Sequence, residues 1–409
     1  MNEEDFEEET SKYLFQEPET RNEDRFLAEA ERKPEDILRV LRSSQPVTLE
    51  YLNGDRSCNV YKHGDLLGKG KSASVYELKD QDNKGMVVVI KEFMAKESIR
   101  YVKNVCILSS SLNEIVMSSI FNSFYSDSKR FSITFPYCQG FFVCGSKGYE
   151  IIERMDTTLS KFFTSGRMNA RNFKSILFQV LYSTKFLNYR GVMHNDMHAK
   201  NIMVRGTRGL NFRGVNIHDV DILVFRDGKT EYYLENTGIL AKIVDFDFAS
   251  QFGEIGIVAE KVYKTRDDDW NLAYRFARSY DLLTFVAYMV YYAIIRSPKA
   301  DEKEIDEIQR MVESLAEQIV ERVEKTIGEI GYRKHLKLDG AGYNLRRYNT
   351  QHETVNNRSA VSKLLDMVSI PPYRPYEKYC HVNLDDILEN QIFKSYRKPK
   401  AGGLVVGSF

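Results

Sequence analysis

The chain has few cysteines and no closely paired ones. Five occur in 409 residues, at Cys58, Cys106, Cys138, Cys144 and Cys380. No C-x-x-C pair is present, so the spacing of a structural zinc site is missing. An odd, scattered set also excludes the dense disulfide framework of a small secreted domain. The thiols read as reduced and mostly packed. Net charge is missing too, because Lys plus Arg and Asp plus Glu each number 58. That balance argues against a general nucleic-acid binder. Long apolar runs are absent. The longest, Leu282 to Ile295, is too short for a bilayer and suits a buried helix. The acidic amino terminus lacks the basic-then-apolar pattern of a secretory signal. No internal repeat is present. The chain therefore reads as soluble and intracellular, with no membrane span.

What is there is core material. Hydrophobic residues make up 43% of the chain, with 25 Tyr and 24 Phe. The length suits one large domain or two modest ones. Residues 1–48 read as a flexible acidic arm, because Phe6, Tyr13, Leu14, Phe15, Phe26 and Leu27 are too sparse to build a core. Docking is the alternative role for this arm. Within it, Pro34-Glu35-Asp36 has the residues of a helix start.

Regular patterning becomes dense near Val60. Gly64 to Tyr76 reads as strand, glycine turn, strand, with Gly68, Lys69 and Gly70 at the turn and Ala73 and Val75 just after. Glycines let a backbone approach phosphates without a Cβ clash. The turn Gln81-Asp82-Asn83-Lys84-Gly85 follows. The apolar run Met86 to Ile90 then ends in Lys91. Asn104 to Phe124 has helical spacing through Ile107, Leu112, Ile115, Val116 and Ile120. Glu114 is its acid best placed to pair with Lys91, and Glu97 is the competitor. Two strands follow, Phe141 to Cys144 and Tyr149 to Ile152. Leu159 to Phe163 and Phe173 to Tyr189 are helical patterns.

The centre of the chain is His194-Asn195-Asp196-Met197-His198-Ala199-Lys200-Asn201. An Asp and an Asn five positions apart on one short loop can aim a carboxylate and an amide at a common point. Downstream, Asp245-Phe246-Asp247 closes a short apolar strand and can bring a second carboxylate there. Phosphoryl transfer needs one group to orient the attacking hydroxyl and two to hold magnesium on the phosphates.

In chain order these stretches resemble the motifs of the protein kinase superfamily. Gly68 to Val75 is similar to G-x-G-x-x-G-x-V, with Ala73 at the third glycine. Val88-Val89-Ile90-Lys91 resembles V-A-I-K. The loop at 194–201 resembles H-R-D-L-x-x-x-N, and Asp245-Phe246-Asp247 resembles D-F-G. The resemblance covers about 60 to 295. It implies an α+β, bilobal protein-kinase-like fold with a small β-rich N-lobe (49–155) and a larger helical C-lobe (156–397). It implies ATP and Mg2+ as cofactors and Ser/Thr hydroxyls of proteins as substrates. Lys91 would face the phosphates and pair with Glu114. The hinge Glu153-Arg154-Met155 would face adenine through its backbone, beside Ile152. Asp196 would be the base, with His198 near the γ-phosphate, and Asn201 and Asp245 would hold the metal. Asp281 resembles the helix aspartate that supports the catalytic loop.

Several positions depart from the pattern. Asn195 stands where most kinases have Arg, and His198 where Ser/Thr kinases usually have Lys. Asp247 replaces a Gly, and no A-P-E motif follows. The stretch 205–241 is an apparent insertion, with a hairpin signal centred on Asp227-Gly228. That hairpin and the D-F-D form resemble the serine/threonine kinases of large cytoplasmic DNA viruses, of poxvirus and iridovirus type, which implies host cytoplasm or virion as the location. Asn195 and His198 keep an aminoglycoside- or choline-type small-molecule kinase open as a rival. A catalytically weak pseudokinase scaffold is the non-enzyme rival.

Residues 301–330 read as a long amphipathic helix through Ile305, Ile308, Val312, Leu315, Ile319, Val323, Ile327 and Ile330. It would either pack on its own lobe or take a coiled-coil partner. Asn344 to Arg358 is polar and loop-like. Asp385 to Tyr396 reads as a last helix, and 398–409 as a flexible tail.

Overall fold

The computed structural model describes residues 63–70, 73–78, 88–94, 99–102, 105–126, 130–144, 147–252, 256–260, 262, 280–295, 300–328, 364 and 384–409. The acidic arm, the Pro34 helix start, the turn at 81–85, Glu97 and the polar stretch 344–358 lie outside the described residues.

The first half is rich in strands. It runs β1 (His63–Lys69), β2 (Ala73–Leu78), β3 (Val88–Met94), β4 (Ile99–Val102), β5 (Val105–Leu108), α1 (Ser110–Ser126), β6 (Phe131–Ser132), β7 (Cys138–Cys144) and β8 (Lys147–Glu153). Five of these strands make an antiparallel sheet in the order β1-β2-β3-β8-β7. Val88, Ile90 and Ile151 form its buried cluster. Register puts Lys91 between Val75 on β2 and Glu150 on β8. Phe93 sits opposite Gly148, where a Cβ would fall 2.2 Å from its ring. Only glycine lets the two strands approach there.

Helical spacing over 104–124 predicts one helix, but the structure divides it. Val105–Leu108 is a strand, paired with β4 on one side and with a later strand on the other. Four consecutive apolar residues have no periodicity that separates strand from helix. The two serines Ser109 and Ser110 then open α1.

The remainder is built around helices. Its elements are β9 (Thr157–Thr158), α2 (Leu159–Phe163), α3 (Ala170–Tyr189), β10 (Val192–Met193), β11 (Ile202–Gly206), β12 (Asn211–Phe212), β13 (Val215–Asn216), β14 (Ile222–Asp227), β15 (Thr230–Glu235), β16 (Ile239–Ile243), β17 (Ser250–Gln251), β18 (Gly256–Ala259), α4 (Tyr280–Val290), α5 (Glu302–Gly328), α6 (Leu384–Leu388) and β19 (Leu404–Ser408). Asn169 caps α3, accepting the Asn172 N–H at 2.8 Å. Leu177, Phe178, Leu181, Tyr182, Phe186 and Leu187 of α3 are fully or nearly fully buried, so this helix is the spine of the main core. α5 lays Ile308, Val312, Leu315 and Ile319 into the same core and contacts α3 and α4. From Ile308 to Ile319 its apolar stripe is therefore covered by its own chain.

The insertion holds two hairpins, β12–β13 and β14–β15. The second turns at Gly228, whose φ of 54° suits glycine. The sequence reading of 398–409 as a flexible tail does not hold. β19 pairs in parallel with β14 and antiparallel with β6. Gly407, which looks like a source of flexibility, is a packing residue, since a Cβ there would meet the Tyr182 ring at 2.9 Å. The stretch 385–396 divides into α6 and a 3-10 segment, Gln391–Arg397, with Asn390 capping the second. Among the described residues, no helix is long and apolar enough to cross a membrane.

Candidate active site

Lys91 ends the buried stretch of β3, and Glu114 lies on the first turns of α1. Their side chains form an ion pair. Asp245 Oδ1 lies 3.7 Å from the same ammonium. Burial alone would lower the Lys91 pKa, but Glu114, Asp245 and Glu150 offset it and the net shift is upward. The amine therefore stays charged at neutral pH. Burial pushes the Glu114 carboxyl up, with Lys91 opposing. Glu97, the rival partner, lies outside the described residues.

The loop after α3 is held from below by α4. Asp281, 1% exposed, accepts the backbone N–H of His194 at 2.6 Å and that of Asn195 at 2.9 Å. Asn195 has φ 64°, a left-handed conformation that asparagine tolerates better than most residues. His194 Nδ1 accepts from Asp196 N at 3.2 Å, so the ring carries its proton on Nε2, 2.9 Å from the Val244 carbonyl. Asn201 Nδ2 donates to Asp196 O at 3.0 Å and Oδ2 at 3.1 Å. This fixes the carboxylate and turns Asn201 Oδ1 away from it. His198 Nε2 lies 3.5 Å from Asp196 Oδ2, and its ring packs edge-on to Tyr288 at 5.6 Å. Burial raises the Asp196 pKa, and His198 and His194 pull it back.

β11 and β16 bring the two halves of the site together. They pair antiparallel with Ile202 opposite Ile243, so Asn201 and Val244 are adjacent, and Val244 N donates to Asn201 O at 3.0 Å. Asp245 follows with φ 70°. Phe246 is buried against Phe121, Phe135 and His194, with ring centroids 4.2, 6.3 and 4.8 Å away. The segment after it is held by two asparagine amides. Asn113 Nδ2 donates to Phe246 O at 3.0 Å and Ala249 O at 2.9 Å. Asn195 Nδ2 donates to Phe248 O at 2.9 Å and Ser250 Oγ at 3.0 Å. Asp247, at the departing position of D-F-G, is buried.

At the end of β8 the Glu153 side chain turns inward and is fully buried. It accepts from Lys242 Nζ at 2.6 Å. Arg205 donates to the Arg154 carbonyl at 2.6 Å. Whatever Glu153 offers a ligand therefore comes from its backbone. Met155 is half-buried beside it. On the other side, residues 65–70 of the glycine turn are exposed, and Gly70 N donates to Ala73 O at 2.8 Å.

The structure brings Lys91, Glu114 and Asp245 together, and joins Asp196, His198 and Asn201 in one hydrogen-bonded loop. Sequence reasoning missed Asn113, Glu150 and Lys242. Asn113 shares a helix face with Met117 and Phe121, four and eight positions on, which is a legible signal of a buried polar group. Lys242 inside the run Leu240 to Val244 was another.

Residues 61–266 match a family model described as protein kinase domain, just over half of the chain. The chain belongs to that family. No curated protein matches it in a sequence search.

Proposed function

We propose that the chain is a bilobal serine/threonine protein kinase, using ATP and magnesium to phosphorylate protein hydroxyls. One observation carries the reading: Lys91 is held between Glu114 and Asp245, and the charge of Asp245 also acts on the Asp196 carboxylate that Asn201 fixes. Lys91 is the cation for the phosphates. Asp196 orients the acceptor hydroxyl and takes its proton as the bond from that oxygen to the γ-phosphorus forms and the bond to the bridging oxygen breaks, releasing ADP. His198 lies beside it for the γ-phosphate. The donor set of Asp245 and Asn201 fits magnesium, which is held by one or two carboxylates together with phosphate oxygens. Bound there, the ion would neutralise charge on the phosphates.

Gly68, Lys69 and Gly70, with Ala73 and Val75, would cover the phosphates. Among the described residues a Cβ at Gly68 would meet nothing within 4 Å, which leaves the backbone there open to the close approach of a phosphate. The backbone at Glu153 and Met155 would receive adenine. The insertion hairpin and the Asp245-Phe246-Asp247 form support a place among kinases of the large cytoplasmic DNA virus type.

The test is incubation with labelled ATP, magnesium and a mixed protein extract. Label on protein Ser or Thr is the expected result. Label on small molecules alone would move the chain to the aminoglycoside or choline type. No turnover would make it a scaffold.

A further inference from the structure

We infer that Asn113 is a positioning residue for the metal-binding loop. Its side-chain amide fixes the backbone after Asp245 against the helix that carries Glu114. The inference rests on the kinase reading and extends it to a residue outside the motifs.

Asn113 is fully buried. Its amide has two hydrogens, and the two bonds to Phe246 O and Ala249 O use both. Those carbonyls lie one and four residues past Asp245. Asn113 and Glu114 are consecutive on α1, so one helical turn grips both Lys91 and the loop that bears Asp245. Asp245 needs such support. Its φ of 70° is left-handed, a region that aspartate enters more readily than most residues but still at a cost, so bonds to the backbone that follows help to hold it. Asn195 grips the same segment from the opposite side, at Phe248 O and Ser250 Oγ. Asn113 Oδ1 is buried, with no hydrogen-bond partner among the described residues. An apolar residue of the same shape would avoid that cost, so packing alone does not account for an asparagine here. The residue type is set by what it donates. Leucine has the shape without donors, and an ionised aspartate has the shape with acceptors only.

The experiment compares the full chain with Asn113→Leu and Asn113→Asp. Four quantities are read: the melting temperature, nucleotide affinity in EDTA, the magnesium concentration at half-maximal rate, and amide hydrogen exchange over 245–250 without nucleotide. Asn113→Leu should stay folded and bind nucleotide in EDTA as the parent does, while Asn113→Asp, which buries a carboxylate against two carbonyl oxygens, should melt earlier. Both should need roughly tenfold more magnesium, about 1.4 kcal/mol, and exchange faster over 245–250. Unchanged magnesium dependence and exchange in folded variants would overturn the inference while leaving the kinase reading intact. Loss of nucleotide binding in EDTA by the folded Asn113→Leu protein would also overturn it, because Asn113 would then act on the whole site and not on the metal-binding loop. A parent chain without magnesium-dependent nucleotide binding or transfer would remove the kinase reading, and the inference with it.

Discussion

The ammonium of Lys242 lies 2.6 Å from the Glu153 carboxylate, and neither side chain reaches solvent. Lys242 also donates to the Phe135 carbonyl at 3.1 Å. The pair joins the strand that leads to Asp245 to the end of β8. Burial lowers the Lys242 pKa, with Glu153 opposing. Removing one partner of such a pair leaves an uncompensated buried charge. Lys242→Met is therefore expected to cost about 3–5 kcal/mol of stability. Adding Glu153→Gln should recover half or more of that loss, because a neutral pair carries no stranded charge. Urea unfolding of the two single variants and the double variant checks this. A single-variant cost below about 1 kcal/mol, the range of an exposed pair, would mean that water reaches the site.

Asp196→Asn should reduce turnover by roughly a thousandfold, within the range for loss of a general base. Affinity for magnesium–ATP should change little, because the residue acts on the acceptor hydroxyl. The parent's pH profile carries the same assignment. In the proposed role Asp196 acts as the carboxylate, and burial moves its pKa above the ordinary 3.8. A raised pKa means the proton is kept to higher pH. The rate should therefore fall on acidification at a pH above 3.8. Initial rates across pH, with saturating nucleotide, give the limb directly. Wild-type turnover in the folded Asn variant would reject the role.

Asp245→Ala should abolish the gain in nucleotide affinity that magnesium provides. It removes the carboxylate that lies 3.7 Å from Lys91 and leaves Lys91 paired with Glu114. Calorimetry with ATP in EDTA should give matching affinities for the variant and the parent. With magnesium, only the parent should tighten. Equal tightening in both would place the metal on other ligands.

The position of the candidate site was legible because the residues proposed for it lie in short, local patterns. Lys91, Asp196, Asn201 and Asp245 each close a strand or sit on a tight loop, and the resemblance to kinase motifs singled them out. Glu114 and Asp281 were singled out by the same resemblance, and the structure pairs the first with Lys91 and the second with the backbone of His194 and Asn195. What escaped was non-local. Asn113 matters through carbonyls 133 and 136 positions away, and no periodicity encodes that. β19 escaped because Gly402, Gly403 and Gly407 around three apolar residues look like a loose end. Their glycines instead allow close contact, with a Cβ at Gly403 falling 2.4 Å from Val224. The 105–108 strand escaped because its pairing partners, β4 and β18, include a segment 151 positions downstream, which local spacing does not reveal.

Activity should not depend on phosphorylation of the segment after Asp245. In kinases switched that way, an Arg before the catalytic Asp pairs with the new phosphate and orders the segment. Here that residue is Asn195, an uncharged amide that cannot form a bidentate charge-assisted pair. It is already committed to Phe248 O and Ser250 Oγ. Asn113 holds the neighbouring carbonyls. The first turn of the segment is thus fastened by neutral donors, with no call for a phosphate. Ser250, the nearest hydroxyl, is fully buried, so it is a fastening point and a poor acceptor for any kinase. The remaining candidates, Tyr263, Thr265 and Ser279, and the distant base Arg266, lie outside the described residues. The comparison is therefore a phosphatase-treated sample beside Tyr263→Phe, Thr265→Val and Ser279→Ala combined, with Ser250 left in place. Initial rates on an exogenous protein substrate should stay within a few-fold of the untreated enzyme. A loss of about a hundredfold, roughly 2.7 kcal/mol of barrier, would show that a phosphate and a base beyond Asn195 order the segment. Changing Ser250 to Ala separately should slow the enzyme even after phosphatase treatment, because that loss is of a hydrogen bond and not of a phosphate site.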